Sequence, residues 1–141
     1  MKILVVANTY PNRIKPNYGS FVYNLLQEVA KENSVTVISP YKFYNFLSFG
    51  NKQYGDESCK VIRPVQLSFG NKKVLGFDFN KASGFFYSLA VKLALYKIKD
   101  KPDVIYCHFL LNSIPILNYA NKFNIPVVVA SGESSYQGWG K

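Results

Sequence analysis

The residues of this chain that could do chemistry are few, and most of them follow apolar runs. His108, the single histidine, comes directly after VIYC. A neutral imidazole there can hydrogen-bond a sugar or phosphate oxygen, or accept a proton. It can equally be a packed side chain satisfied by backbone. Ser131, Gly132 and Glu133 follow IPVVVA. A glycine beside a carboxylate at a strand end suits a hydroxyl-rich ligand, and Glu133 is a candidate base. Ser131 or Ser134 as a simple turn cap is the plainer alternative. Gly19 and Ser20 precede an amphipathic run. A glycine there lets backbone approach an anion and leaves N–H groups open to it, or it merely makes a turn. Asn8, Thr9 and Tyr10 follow the first apolar run, and Ser39, Pro40 and Tyr41 follow the second.

Several chemistries are excluded by the patterns that are missing. There is no GxGxxG and no GK[ST], so neither a dinucleotide fingerprint nor a phosphate loop of the ATPase kind is present. No GxSxG elbow offers a hydrolase serine. Cys59 and Cys107 are the only cysteines, and no cluster of His, Cys and carboxylates has metal-ligand spacing. Cys107 is expected to end a buried strand and stay reduced.

The elements that must position these residues alternate between strand and helix. Ile3 to Ala7 reads as a strand. Ser20 to Glu32 reads as a helix with Val22, Leu25, Leu26 and Val29 on one buried stripe, Ser20 as its cap and Asn33 as a left-handed stop. Val35 to Ser39 is a second strand. Residues 41 to 58 form an aromatic, lysine-dotted excursion, and Cys59 to Val65 a third strand. A long helix is expected from Ser83 to about Lys99, with Phe86, Leu89, Leu93 and Tyr96 inward. Val104 to Cys107 is the fourth strand. A helix near Pro115 turns Ile116, Ala120 and Phe123 inward and stops near Asn124. IPVVVA is the fifth strand. The strands are continuous Val/Ile runs, as a sheet covered on both faces requires. The pattern predicts an α/β, Rossmann-like parallel sheet with helices on both faces. Ligands bind beyond the carboxyl ends of such strands, so the candidate residues share one crevice.

At 141 residues the chain is one domain with a real core. No apolar run reaches the roughly 18 residues of a membrane span, and no signal peptide is evident, which predicts a cytoplasmic protein. The net charge is +9, and all seventeen basic residues but Arg13 and Arg63 are lysine. Lysine-rich charge suits generic attraction to an anionic surface better than base reading, so no nucleic acid is expected as partner. Aromatics interleaved with lysine suit the interface of an anionic membrane.

Three stretches carry a resemblance: MKILVVANTYPN, YGSFVYNLLQEVAKENSVTVISP and KPDVIYCHFLLNSIPILNYANKFNIPVVVASGES. In this order the chain resembles the N-terminal domain of a glycosyltransferase of family 4, with the GT-B fold. The resemblance implies transfer of a sugar from a nucleotide-sugar donor to a polysaccharide or lipid-linked glycan, with no metal and no cofactor beyond the nucleotide-sugar substrate. It implies that Gly19 and Ser20 approach the donor phosphate, and that Asn8, Thr9, Tyr10, Ser131 and Gly132 hold the acceptor. The family carries a histidine after its fifth strand. Ser131, Gly132 and Glu133 stand there instead, which leaves His108 or Glu133 as catalytic proton acceptor. The resemblance further implies an acceptor-side domain spanning 1–141 whose C-terminal donor domain is absent and which is inactive alone; the lysine and aromatic clusters add an expected peripheral place at the inner face of the membrane. The rival expectation is a non-catalytic membrane- or partner-binding module.

Overall fold

The computed structural model describes residues 1–45, 58–69, 73–74 and 77–130, with the side chains of 73–74 and 77–78 excepted. Five strands form a parallel sheet: β1 (Lys2–Ala7), β2 (Ser34–Ile38), β4 (Lys60–Ile62), β8 (Val104–His108) and β9 (Val127–Ala130). Their order is β4-β2-β1-β8-β9. Short strands β3 (Tyr41–Lys42) and β5 (Val65–Gln66) pair in parallel, and β6 (Lys73–Val74) and β7 (Phe77–Asp78) form a small antiparallel pair. The helices are α1 (Ser20–Val29), α2 (Phe79–Leu95) and α3 (Leu117–Phe123). Two 3-10 turns, Leu110–Asn112 and Ile114–Ile116, lead into α3.

The expected doubly covered parallel sheet is therefore present, and it follows from side-chain alternation. Successive residues of a strand point to opposite faces. Val5 and Ala7 of β1, with Val35 and Val37 of β2, pack on Val22 and Leu26 of α1. Leu4 and Val6 point the other way, with Ile105 and Cys107 of β8, onto Val91 and Ala94 of α2 and Ile116 and Ala120 of the α3 segment. Both faces are buried, so the strands are apolar throughout rather than every second residue.

The helix boundaries and faces depart from the sequence expectations. Helix α1 ends at Val29, and Gly19, not Ser20, is its cap, in left-handed geometry at φ 76°. Leu25 lies on its outer side and is half exposed. Asn33 is not a left-handed stop; its side-chain amide donates to the Val29 carbonyl and satisfies one terminal acceptor. Helix α2 starts at Phe79. Ser83 is internal: its hydroxyl donates to the Phe79 carbonyl and accepts from the Phe69 amide. Its buried residues are Ala90, Val91, Ala94 and Leu95, whereas Leu93 and Tyr96 face outward. The expected stripe was rotated because large apolar residues on both sides hide the small Ala90 and Ala94 that allow close approach to the sheet. Ile116 and Ala120 are buried as expected, while Phe123 is partly exposed and Ile125 is buried beyond it. Asn124 closes α3 in left-handed geometry at φ 50°, with the Ile125 amide returning to the Ala120 carbonyl.

Candidate functional site

The strand order reverses direction at the β1–β8 junction. From β1 the chain moves toward β2 and β4, and from β8 toward β9. Helices leaving a parallel sheet at such a point depart on opposite faces and open a crevice beyond the strand ends. Ala7 and His108 are register partners at that end, and Ala130 of β9 is the partner of His108 on its other side. Asn8 and His108 thus flank the crevice from adjacent strands. His108 is the last strand residue, not the first after it.

His108 is held from every side. Its ring lies on the α1 face, where Phe21 of the first helical turn covers it at a centroid distance of 5.1 Å. Phe109 packs edge-on at 4.3 Å. The Tyr106 hydroxyl, two residues back on the same face, is 3.0 Å from Nδ1. The side chain is buried at 8% exposure, and Nε2 has no hydrogen-bond partner among the described residues. Burial lowers its pKa below the usual 6.5, because the charged form would lose its hydration. Immediately beyond it, Phe109 adopts φ 74°, ψ 147°. That region is close to glycine's own and costs a side-chain-bearing residue about 1–3 kcal/mol.

A polar knot fixes the backbone beneath the ring. Asn112 is fully buried. Its Nδ2 donates to the His108 carbonyl and lies 3.3 Å from Asn8 Oδ1, and its Oδ1 accepts from the Tyr87 hydroxyl of α2. Burial raises the Tyr87 pKa far above the ordinary phenol range, so this hydroxyl remains a donor. Cys107, on the α2 side of the sheet, is fully buried with its thiol pushed up to about 12, which leaves it no thiolate to react.

The loop from Asn8 to Gly19 forms the opposite wall. Asn12 Oδ1 accepts the amides of Ile14 and Lys15 at 3.0 Å. Arg63, buried after β4, donates from Nη2 to the Pro11 carbonyl at 2.9 Å, with its guanidinium 5.5 Å from the Tyr10 ring. Gly19 is obligatory for packing: a Cβ there would meet the Thr9 carbonyl oxygen at 2.4 Å. Its close approach is to this loop's own backbone. The Val22 and Tyr23 amides turn in to the Gly19 carbonyl. Ser20 and Phe21 stand at the exposed first turn, which carries no acidic residue.

The structure brings together Asn8, Thr9, Gly19, Ser20 and His108. Tyr10 is a correction: its ring is buried between α1 and Arg63, 6.0 Å from Tyr23, and cannot line an open acceptor surface. Ser39 and Tyr41 are likewise buried. Ser131, Gly132 and Glu133 lie outside the described residues. Sequence reasoning missed Tyr106, Asn112, Tyr87 and Arg63. Only Tyr106 carried a legible signal, since i and i+2 on a strand share a face. No group of three His, Cys, Asp or Glu among the described residues could hold a metal, and none of their helices is long and apolar enough to cross a membrane.

No protein-family model matches the chain, and no curated protein does. Solved structures do. A UGT transferase from Siraitia grosvenorii in complex with UDP matches with a TM-score of 0.51 and 17% identity, over 92% of this chain and 27% of that one. UGT89C1 of Arabidopsis thaliana complexed with UDP-L-rhamnose matches with a TM-score of 0.54 and 15% identity, over 97% of this chain and 41% of that one. At these identities the likeness is one of fold, and these two structures are plant UDP-glycosyltransferases. The chain spans less than half the length of either. Its five-stranded parallel sheet is a Rossmann-like domain that matches part of the GT-B glycosyltransferase fold.

Proposed function

We propose that this domain forms the acceptor side of a sugar-transfer site, in an enzyme of the GT-B type related to glycosyltransferase family 4. The observation that carries the reading is the reversal of strand order at the β1–β8 junction, beside a buried histidine whose Nε2 lacks a partner among the described residues. In the reaction the acceptor oxygen bonds to the anomeric carbon. The bond from that carbon to the nucleotide diphosphate breaks, its electron pair leaving on phosphate, and the acceptor proton passes to a base. His108 and Glu133 are the two candidates for groups at the reacting oxygen. Ser20 and Phe21 amides at the head of α1 suit the diphosphate charge. The acceptor is a polysaccharide or lipid-linked glycan.

Titration of the 15N-labelled protein with UDP-glucose and with UDP tests this. Resonances of Ser20, Phe21 and His108 move together and saturate in the millimolar range. Silence of all three, or shifts confined to the other end of the sheet, overturns the proposal. In an active transferase carrying this domain, His108→Ala and Glu133→Gln each lower kcat, by about 10²–10⁴-fold for whichever handles the proton.

A second reading, docking to an anionic membrane, is favoured by a separate feature. A groove of about 550 Å³ lies between the end of α2 and α3, lined by Lys92, Lys99, Lys101 and Lys122 with Tyr96 and Phe123. None of its lining residues is acidic. Lys99, Lys101 and Lys122 precede β8 and β9, so the groove faces the amino end of the sheet. Bound there, a phospholipid surface would leave the His108 crevice open.

A further inference from the structure

From the Tyr106–His108 geometry we infer that Tyr106 is a positioning residue that fixes the His108 tautomer, so that Nε2 carries the proton and presents a hydrogen-bond donor, not a base, to the substrate. The role at the substrate rests on the sugar-transfer reading; the tautomer does not.

The contact joins one phenol oxygen and Nδ1 at 3.0 Å. It can be drawn in two ways. Either Tyr106 donates to an unprotonated Nδ1, or a protonated Nδ1 donates to the phenol oxygen. An imidazole nitrogen is by far the better acceptor of the two atoms, and a phenol is a strong neutral donor. The first arrangement is therefore favoured. Burial raises the Tyr106 pKa, so its hydroxyl keeps the proton it donates, and burial keeps the imidazole uncharged. A neutral imidazole has one proton. With Nδ1 accepting, that proton sits on Nε2.

The surroundings hold the ring in this state. A half-turn of the ring would put Cδ2 in the place of Nδ1 and break the contact with Tyr106, but Phe21 and Phe109 enclose the ring. Asn112 fixes the strand carbonyl below it, which stops the backbone from swinging the ring away. The Nε2 proton then faces no acceptor among the described residues. A buried donor left unsatisfied costs about 1–3 kcal/mol. Nε2 is itself covered, so a ligand oxygen reaches it only when the exposed Phe21 ring turns aside; an oxygen that then accepts from it removes this penalty, whether it belongs to a sugar hydroxyl or a phosphate. A protonated Nε2 has no lone pair, so His108 cannot take the acceptor proton in this tautomer.

Because His108 is the only histidine, long-range 1H–15N correlation reads its two ring nitrogens without assignment. At a pH well above the imidazole pKa, Nδ1 shows the shift of an unprotonated nitrogen moved toward the hydrogen-bonded position, and Nε2 that of a protonated one. Tyr106→Phe preserves the ring and removes the donor, and it shifts Nδ1 to the position of a free acceptor. A proton on Nδ1 in the wild type, or a Nδ1 resonance unchanged by Tyr106→Phe, overturns the inference. The wild-type spectrum decides the tautomer even if the variant fails to fold. Added UDP-glucose moves the Nε2 proton downfield if the sugar-transfer reading holds. If it does not, the tautomer signature in the free protein is unaffected, so the two failures are distinguishable.

Discussion

Phe109 is the residue at which local geometry conflicts most with residue type. It sits in a backbone region that suits glycine, directly after His108. Phe109→Gly relieves that strain and Phe109→Ala does not, while both remove the ring. The glycine variant is therefore the more stable of the two, by about 1–3 kcal/mol in urea unfolding, against the usual preference for alanine. Gly19→Ala has the opposite character. Its Cβ would strike the Thr9 carbonyl and its φ would be strained, which lowers stability by at least about 1–2 kcal/mol. His108 adds a pH signature. Its native pKa is depressed below 6.5, so the unfolded chain takes up the proton first. The contribution is intact above about 6.5, declines as pH falls through that value, and is lost once pH passes the native pKa. The rings around it (Phe21, Phe109 and Tyr106) are uncharged at neutral pH. Urea midpoints across this window fall for the wild type, and the fall is shallower in His108→Gln.

Elements were legible in the sequence to the extent that large apolar side chains mark them. VIYC and IPVVVA announced their strands, and KILVVA its own, because each is a short apolar run rich in Val and Ile, too short for a helix. Helix α2 was misread for the opposite reason. Leu89, Leu93 and Tyr96 have the helical spacing of a core stripe, yet the face that meets the sheet is made by Ala90, Val91, Ala94 and Leu95. Leu95→Ala should cost about 2–5 kcal/mol, and Leu93→Ala only about 0.5 kcal/mol or less, a contrast that one set of urea melts resolves. The candidate site divides the same way. His108 stood out as a lone histidine at a strand end. Asn112 and Arg63 did not, because their roles arise from contacts across 104 and 52 residues with Asn8 and Pro11, and no local pattern carries them.

For the molecule as a whole, charge and shape act at different ends. The +9 balance is a long-range field, whereas the lysine groove beside α2 and α3 gives it a location. The exposed ion pairs Lys2–Asp100 and Lys31–Glu28 are already counted in that balance and lie outside the groove. Vesicles containing phosphatidylglycerol should co-sediment the protein at low salt and release it at high salt, and Lys99→Glu with Lys122→Glu should abolish binding while leaving the His108 tautomer signals unchanged. Neutral phosphatidylcholine vesicles should not bind. Equal binding to both vesicle types would sink the electrostatic reading.

The central position of β1 has a consequence for how the chain is made. One neighbour, β2, pairs with it from residue 34 onward, but the other, β8, is not complete until His108. At about 5–20 residues per second of synthesis, roughly 5–20 s pass after β1 emerges before that side can close. Through that interval the nascent chain holds out an apolar strand, Leu4, Val5 and Val6, with one row of backbone N–H and C=O groups unpaired. Such an edge is a template for another nascent chain. The segment that later frames the crevice is thus the one that most needs a chaperone's cover on the ribosome.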